Sequence, residues 1–179
     1  MSPAGQASGR GGAALRELPM PVVVIAAAEG RATACATGTT TYVSLSPAIL
    51  SVALRPDSRT AQMVVRTGQF SVSVLAAGQA DLAQRAGRPG SGEDKMAEAG
   101  LVAEPAAVDG GPPGVGGAAA VLWCTVRDAV EVGDHLVIFG EVGSYRGAAA
   151  STRLLLRHQR RYLASGEPVS DDPPGGYPI

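Results

Sequence analysis

The 179-residue chain has two cysteines, two histidines, one tryptophan and only 4% aromatic residues. Cys35 and Cys124 stand far apart and outside any C-x-x-C spacing, which leaves no disulfide framework and no structural zinc site. Set in apolar stretches, they read as small buried hydrophobes. Charge of one sign is also missing. Fifteen Lys and Arg face 16 Asp and Glu, for a formal net charge of −1, so nucleic-acid binding has no bulk electrostatic basis. The small cluster Arg157–Arg161 does not change that. The longest apolar run, Pro21–Ala28, falls well short of the roughly 20 residues that span a bilayer. Met1–Ala14 is rich in Gly, Ser and Ala and lacks the apolar core of a secretory signal. A cytoplasmic protein with no membrane partner is expected. There is no Walker loop, no G-x-S-x-G elbow and no paired-histidine metal motif. Gly114–Gly117 precedes a strand instead of following one and opens no helix, so it is not a dinucleotide fingerprint.

What is present is turn chemistry, with 24 Gly and 13 Pro, and short β-branched runs in a length suited to one domain. Residues 1–13 read as a disordered arm, 14–163 as the domain and 164–179 as a Pro/Gly-rich tail. Pro21–Ala28 has the continuous apolar pattern of a strand covered on both faces. Glu29-Gly30 then turns the chain into a second strand, Arg31–Thr37. Ile49–Arg55 and Phe70–Val74 alternate as half-buried strands do. Between them the pattern predicts a helix over Arg59–Thr67, with Ser58 as N-cap and Gly68 as stop. A second helix is expected over Gly78–Ala86, and a helical turn near Asp94–Ala99. Further strands follow at Ala118–Arg127, Leu136–Val142 and Ser151–Leu156. Short turns and few helices favour an antiparallel barrel over a doubly wound parallel sheet.

Three stretches carry candidate chemistry. Thr37-Gly38-Thr39-Thr40-Thr41 gathers hydroxyls around a glycine, a wall of donors and acceptors for a polar heterocycle, or simply a threonine-rich strand. Asp57-Ser58-Arg59-Thr60 opens a helix just after a strand. Its unpaired amides and hydroxyls, with Arg59 or Arg55, suit a phosphate. Gly133-Asp134-His135 sets an imidazole at a turn, able to donate a hydrogen bond or a proton near neutral pH.

In this order the motifs resemble the flavin reductase-like family. The resemblance runs over roughly residues 14–163, through ELPMPVVVIAAAEGR, YVSLSPAILSVALRPDSRT and GQFSVSVLAAGQADLAQRAG. It continues through Asp94-Lys95-Met96, Leu122-Trp123-Cys124, Gly133-Asp134-His135 and Leu154–Tyr162. It implies a mainly β fold: a six-stranded antiparallel split β-barrel of Greek-key type with a few peripheral helices, forming a homodimer that binds FMN, or FAD. Carried over by position, Thr37, Gly38, Thr39 and Thr40 would face the ring and ribityl chain. Arg55, Ser58, Arg59 and Thr60 would hold the phosphate. His135 would be catalytic, beside the entering nicotinamide, with Lys95 and Tyr162 on the same side. The activity implied is an NAD(P)H-dependent flavin reductase, using NADH or NADPH to supply reduced flavin to a partner monooxygenase. The alternatives are a flavin-dependent oxidase or oxygenase acting on an organic substrate, and a non-catalytic FMN-binding protein. The sequence departs from the family where Gly38 replaces Asn, Thr40 replaces Phe, Tyr42 replaces Ser, Ala48 replaces Pro and Met96 replaces Phe, which points to a wider pocket.

Overall fold

A computed structural model describes residues 12–149 and 151–167. The expected arm and tail lie almost wholly outside these residues.

Strand β1 (Met20–Pro21) leads into β2 (Val23–Glu29), which is buried from Val23 to Ala27 without alternation. The reason is that β2 separates two cores. Val23, Ile25 and Ala27 join one hydrophobic cluster, and Val24 and Ala26 join the other. Gly30, at φ 60°, turns the chain into the long β3 (Ala32–Leu45), which pairs with β2 from Ala32 to Gly38 and with β4 (Ala48–Leu54) beyond it. Alternation in β4 sends Leu50, Val52 and Leu54 into the first cluster.

Helix α1 (Arg59–Thr67) forms as its caps predict. Ser58 Oγ accepts from Ala61 N at 3.1 Å, and Gly68, at φ 71°, ends it. Its Ala61, Met63 and Val64 join the cluster inside the barrel, so the helix plugs one end. Strand β5 (Gln69–Val74) departs from the half-buried expectation, because Ser71 and Ser73 are fully buried as well. Ser71 Oγ donates to Pro113 O at 2.7 Å and Ser73 Oγ accepts from Val115 N at 2.9 Å, so the segment through Pro113–Val115 covers the outer face of β5.

Helices α2 (Ala80–Ala86) and α3 (Lys95–Glu98) and the small β6 (Ala103–Glu104) and β7 (Gly114–Val115) pad the outer core. Strands β8 (Ala120–Val132) and β9 (His135–Arg146) then make a hairpin turned at Gly133 and Asp134. Gly140 of β9 leaves room for Phe70, since a Cβ there would lie 2.3 Å from the ring edge. The closed barrel runs β2-β3-β4-β9-β8-β5, every pair antiparallel. This is the expected six-stranded barrel with peripheral helices.

After the barrel comes a hairpin where one strand was expected: β10 (Leu155–His158) and β11 (Arg161–Ala164), with β10 also pairing with β1. Opposite α1, the barrel mouth opens on an apolar groove lined in part by Tyr42, Leu45, Val74, Leu122 and Tyr145. Among the described residues, no helix is long and apolar enough to cross a membrane, and no cluster of His, Cys, Asp and Glu could hold a metal ion.

Candidate functional site

Two clefts adjoin on the outer face of β3 and β4. The first, of about 290 Å³, is lined by Thr37, Gly38, Thr39, Arg55, His135, Arg157 and Tyr162, among others. The second, of about 420 Å³, is lined by Thr37, Arg55, Ser58, Arg59, Thr60, Arg88 and Lys95, among others. They share Thr37, Leu54 and Arg55, so the hydroxyl-bearing strand and the helix end converge on one elongated depression. We call its two ends the histidine cleft and the helix-end cleft.

Strand alternation decides which threonines take part. Cys35 faces the outer core and Ala34 the barrel interior, so Thr37 and Thr39 share the outer face while Gly38 and Thr40 face inward. Gly38 therefore borders the histidine cleft through its backbone. A Cβ on it would meet Ile25 Cδ1 at 2.3 Å and Ala53 O at 3.1 Å, so the packing of β2 and β4 demands glycine there. Thr40 lines the apolar groove at the barrel mouth and neither cleft, contrary to the expectation that it faces the ring.

In the helix-end cleft, Thr60 is 2% exposed. Its hydroxyl has no hydrogen-bond partner among the described residues, and no side-chain N or O atom is fully buried without one. The oxygen is therefore open to the cleft it lines. Beside it are the free amides of α1 and the Ser58 hydroxyl. Arg59 is partly engaged: its Nη2 donates to Glu93 O at 2.8 Å and its Nη1 to Gly92 O, which ties the loop after α2 to the helix end. Arg55 forms a two-point ion pair with Asp57, at 3.1 and 2.9 Å. Hydrogen bonding from Arg55 in turn holds the Asp57 carboxyl below its ordinary range.

Lys95, expected on the nicotinamide side, lies in the helix-end cleft instead and is 8% exposed. Its ammonium donates to Cys35 O and, at 3.2 Å, to Ala86 O, pinning β3 to the end of α2. In the histidine cleft, His135 Nδ1 lies 2.8 Å from Asp134 Oδ1. Hydrogen bonding from His135 lowers the Asp134 pKa. An ionised carboxylate only accepts, so Nδ1 carries the proton and Nε2 is left as the other polar atom of the ring. Tyr162 is half-buried against the outer core and walls the same cleft.

Sequence reasoning missed two lining cations, Arg88 and Arg157. Arg88 lies in the stretch between the expected helix Gly78–Ala86 and the turn near Asp94–Ala99, where no motif marks it. Arg157 would have emerged had the terminal segment been read as a hairpin, since it then stands opposite Tyr162. The arrangement suits an elongated ligand with an anionic end at α1 and a polar, partly planar body along Thr37 and Thr39.

The family model described as the flavin reductase like domain matches residues 15–166. A probable flavin reductase of Rhizobium meliloti is 31% identical over 132 residues, 71% of this chain and 39% of that protein. A stachydrine N-demethylase reductase subunit of the same organism is 29% identical over 141 residues, 75% of this chain and 59% of its own length. The chain thus spans less than two thirds of both. An NADH-dependent FMN reductase of Streptomyces nodosus is 28% identical over 158 residues, 84% of this chain and 81% of that one. Among solved structures, nitrilotriacetate monooxygenase component B from Mycobacterium thermoresistibile superposes with a TM-score of 0.79 at 25% identity, covering 94% of this chain and 93% of that one.

Proposed function

Because this chain belongs to the flavin reductase-like family, we propose that it is an NAD(P)H-dependent flavin reductase that binds FMN, or FAD, along the paired clefts and delivers reduced flavin to a partner monooxygenase. The observation that carries this reading is the convergence of the Thr37–Thr39 face and the α1 end on one depression, with a Thr60 hydroxyl that has no partner among the described residues at the anionic end.

Flavin, when bound, supplies the ring that accepts a hydride, and the protein contributes binding and orientation. Ser58, Thr60, the first amides of α1 and the remaining donors of Arg59 hold the phosphate, with Arg55 at the junction of the two clefts. Thr37 and Thr39 bond the polar edge of the ring and ribityl chain, and Gly38 sets the strand that carries them. His135, steadied by Asp134, uses Nε2 to place the nicotinamide, with Tyr162 as a wall. Lys95 acts from below, as a positioning residue that fixes β3.

Relatives named as reductase components of multi-component systems support a monooxygenase partner. The open apolar mouth of the barrel supports a homodimer, the second copy covering it. A cytoplasmic location belongs to the same proposal, since NAD(P)H is the reductant.

The test is NADH and NADPH oxidation with added FMN or FAD. Oxidation well above the protein-free mixture is expected. His135→Ala should lower it by about ten-fold or more while leaving the FMN Kd within about two-fold. Tight FMN binding without NAD(P)H turnover would make the protein a flavin carrier and end the reductase reading.

A further inference from the structure

Building on that reading, we propose that Arg157 binds the diphosphate of the nicotinamide dinucleotide and so holds the second reactant in the histidine cleft. One phosphate, that of FMN, is accounted for at the α1 end. Met20, Arg157 and Tyr162 line only the histidine cleft, away from α1. No carboxylate lines this cleft. Of its two arginines, Arg55 is occupied by Asp57 at 2.9 Å, whereas Arg157 has no ion pair or side-chain hydrogen bond among the described residues. A free guanidinium offers a planar fork of donors matched to phosphate oxygens. A second anion site facing the cleft where the nicotinamide enters matches the phosphates of the other reactant.

Its placement is also rigid. Arg157 pairs with Met20 on one side and Tyr162 on the other, in the middle of the three-stranded sheet. The tip of that sheet, Gln159 and Arg160, takes φ values of 46° and 66° without a glycine, a conformation side-chain-bearing residues adopt only under support. The support is visible: Gln159 N donates to Arg16 O at 3.1 Å and Gln159 Nε2 to Glu17 at 2.8 Å. The backbone that carries Arg157 is thus fixed, and only its own side chain is left to order when the ligand arrives.

The experiment compares wild type with Arg157→Ala, Arg157→Lys and, as control, Arg153→Ala, an exposed arginine that lines neither cleft. Two quantities are measured on FMN-loaded protein: KM for NADH, NADPH and reduced nicotinamide mononucleotide, and Kd for NAD+ by calorimetry. Arg157→Ala should raise the KM for NADH and NADPH and the Kd for NAD+ by about ten-fold, and the KM for the mononucleotide, which has one phosphate and no diphosphate, by less, with kcat at saturation unchanged because the contact is to the phosphates and not to the reacting atoms. Arg157→Lys should recover part of the loss and Arg153→Ala should show none. A rise confined to NADPH would move the contact to the 2′-phosphate and overturn the assignment. Unchanged KM and Kd in Arg157→Ala would also overturn it. A wild-type protein that oxidises no NADH would remove the reductase reading instead, and the NAD+ calorimetry would still decide the role of Arg157.

Discussion

Replacing Thr60 with valine separates a binding hydroxyl from a structural one. The residue is 2% exposed in the first turn of α1, and its oxygen faces the helix-end cleft with no partner among the described residues. Valine keeps the β-branched shape and a similar helix propensity, so the free protein loses packing nowhere and no hydrogen bond is broken. Its unfolding free energy should therefore move by less than about 0.5 kcal/mol, the range of a neutral substitution. Binding should behave oppositely. A hydroxyl donated to a charged phosphate contributes about 1.5–3 kcal/mol, and each 1.4 kcal/mol is about ten-fold in affinity. FMN binding should thus weaken about 10- to 100-fold. Riboflavin, which lacks the phosphate, should bind wild type and variant alike. Flavin fluorescence titration and urea unfolding of the flavin-free protein provide the two readouts. A variant that loses more than about 1 kcal/mol of stability yet keeps its FMN affinity would show the hydroxyl to be structural. Equal losses for FMN and riboflavin would refute the placement of the phosphate at α1.

Two further outcomes follow from the core. Gly140→Ala puts a methyl 2.3 Å from the Phe70 ring edge, and such overpacking costs about 1–3 kcal/mol. Adding Phe70→Leu should recover part of this in a double-mutant cycle of urea midpoints, and simple additivity would contradict the contact. Burial pushes the Cys35 thiol up to about 11 and the Cys124 thiol up to about 12. The folded state thus keeps its thiol protons while the unfolded chain loses them above about pH 8.5. The thiols' contribution is complete below that pH and is lost as pH rises towards 11–12, amounting to about 2 kcal/mol per thiol by pH 10.5. A Cys35→Ala/Cys124→Ala protein should show a correspondingly flatter decline of its urea midpoint between pH 9 and 11; identical slopes would refute the shift.

The parts of the fold written in local chemistry were legible in the sequence. Ser58 and Gly68 bracket α1 because capping acts within one turn of chain, and Pro21–Ala28 announced a strand covered on both sides. Features set by distant partners were not. Phe70–Val74 looked half-buried because nothing in its alternation reveals that Pro113 and Val115 will bond Ser71 and Ser73. β3 runs on to Leu45 with a register shift between Tyr42 and Ser44, which breaks the two-residue period that would have betrayed it. The final hairpin turns on Gln159-Arg160, residues carrying no turn signal, so it read as one strand. Of the candidate site, the helix end and the outward Thr37, Thr39 and His135 were legible. The inward set of Thr40, the packing role of Gly38 and the burial of Lys95 depend on register and tertiary fit, which no short window of sequence contains.

The small outer sheet ties the beginning of the described chain to its end, with Met20 paired to Arg157 and Arg157 to Tyr162. During synthesis neither cleft can settle early, because β4, which lends Leu54 and Arg55 to both, pairs along its length with β9. The histidine cleft waits longer still, for the hairpin that carries Arg157 and Tyr162. Both ends of the depression are therefore late products of translation, finished only when the barrel has closed and the outer sheet has joined it.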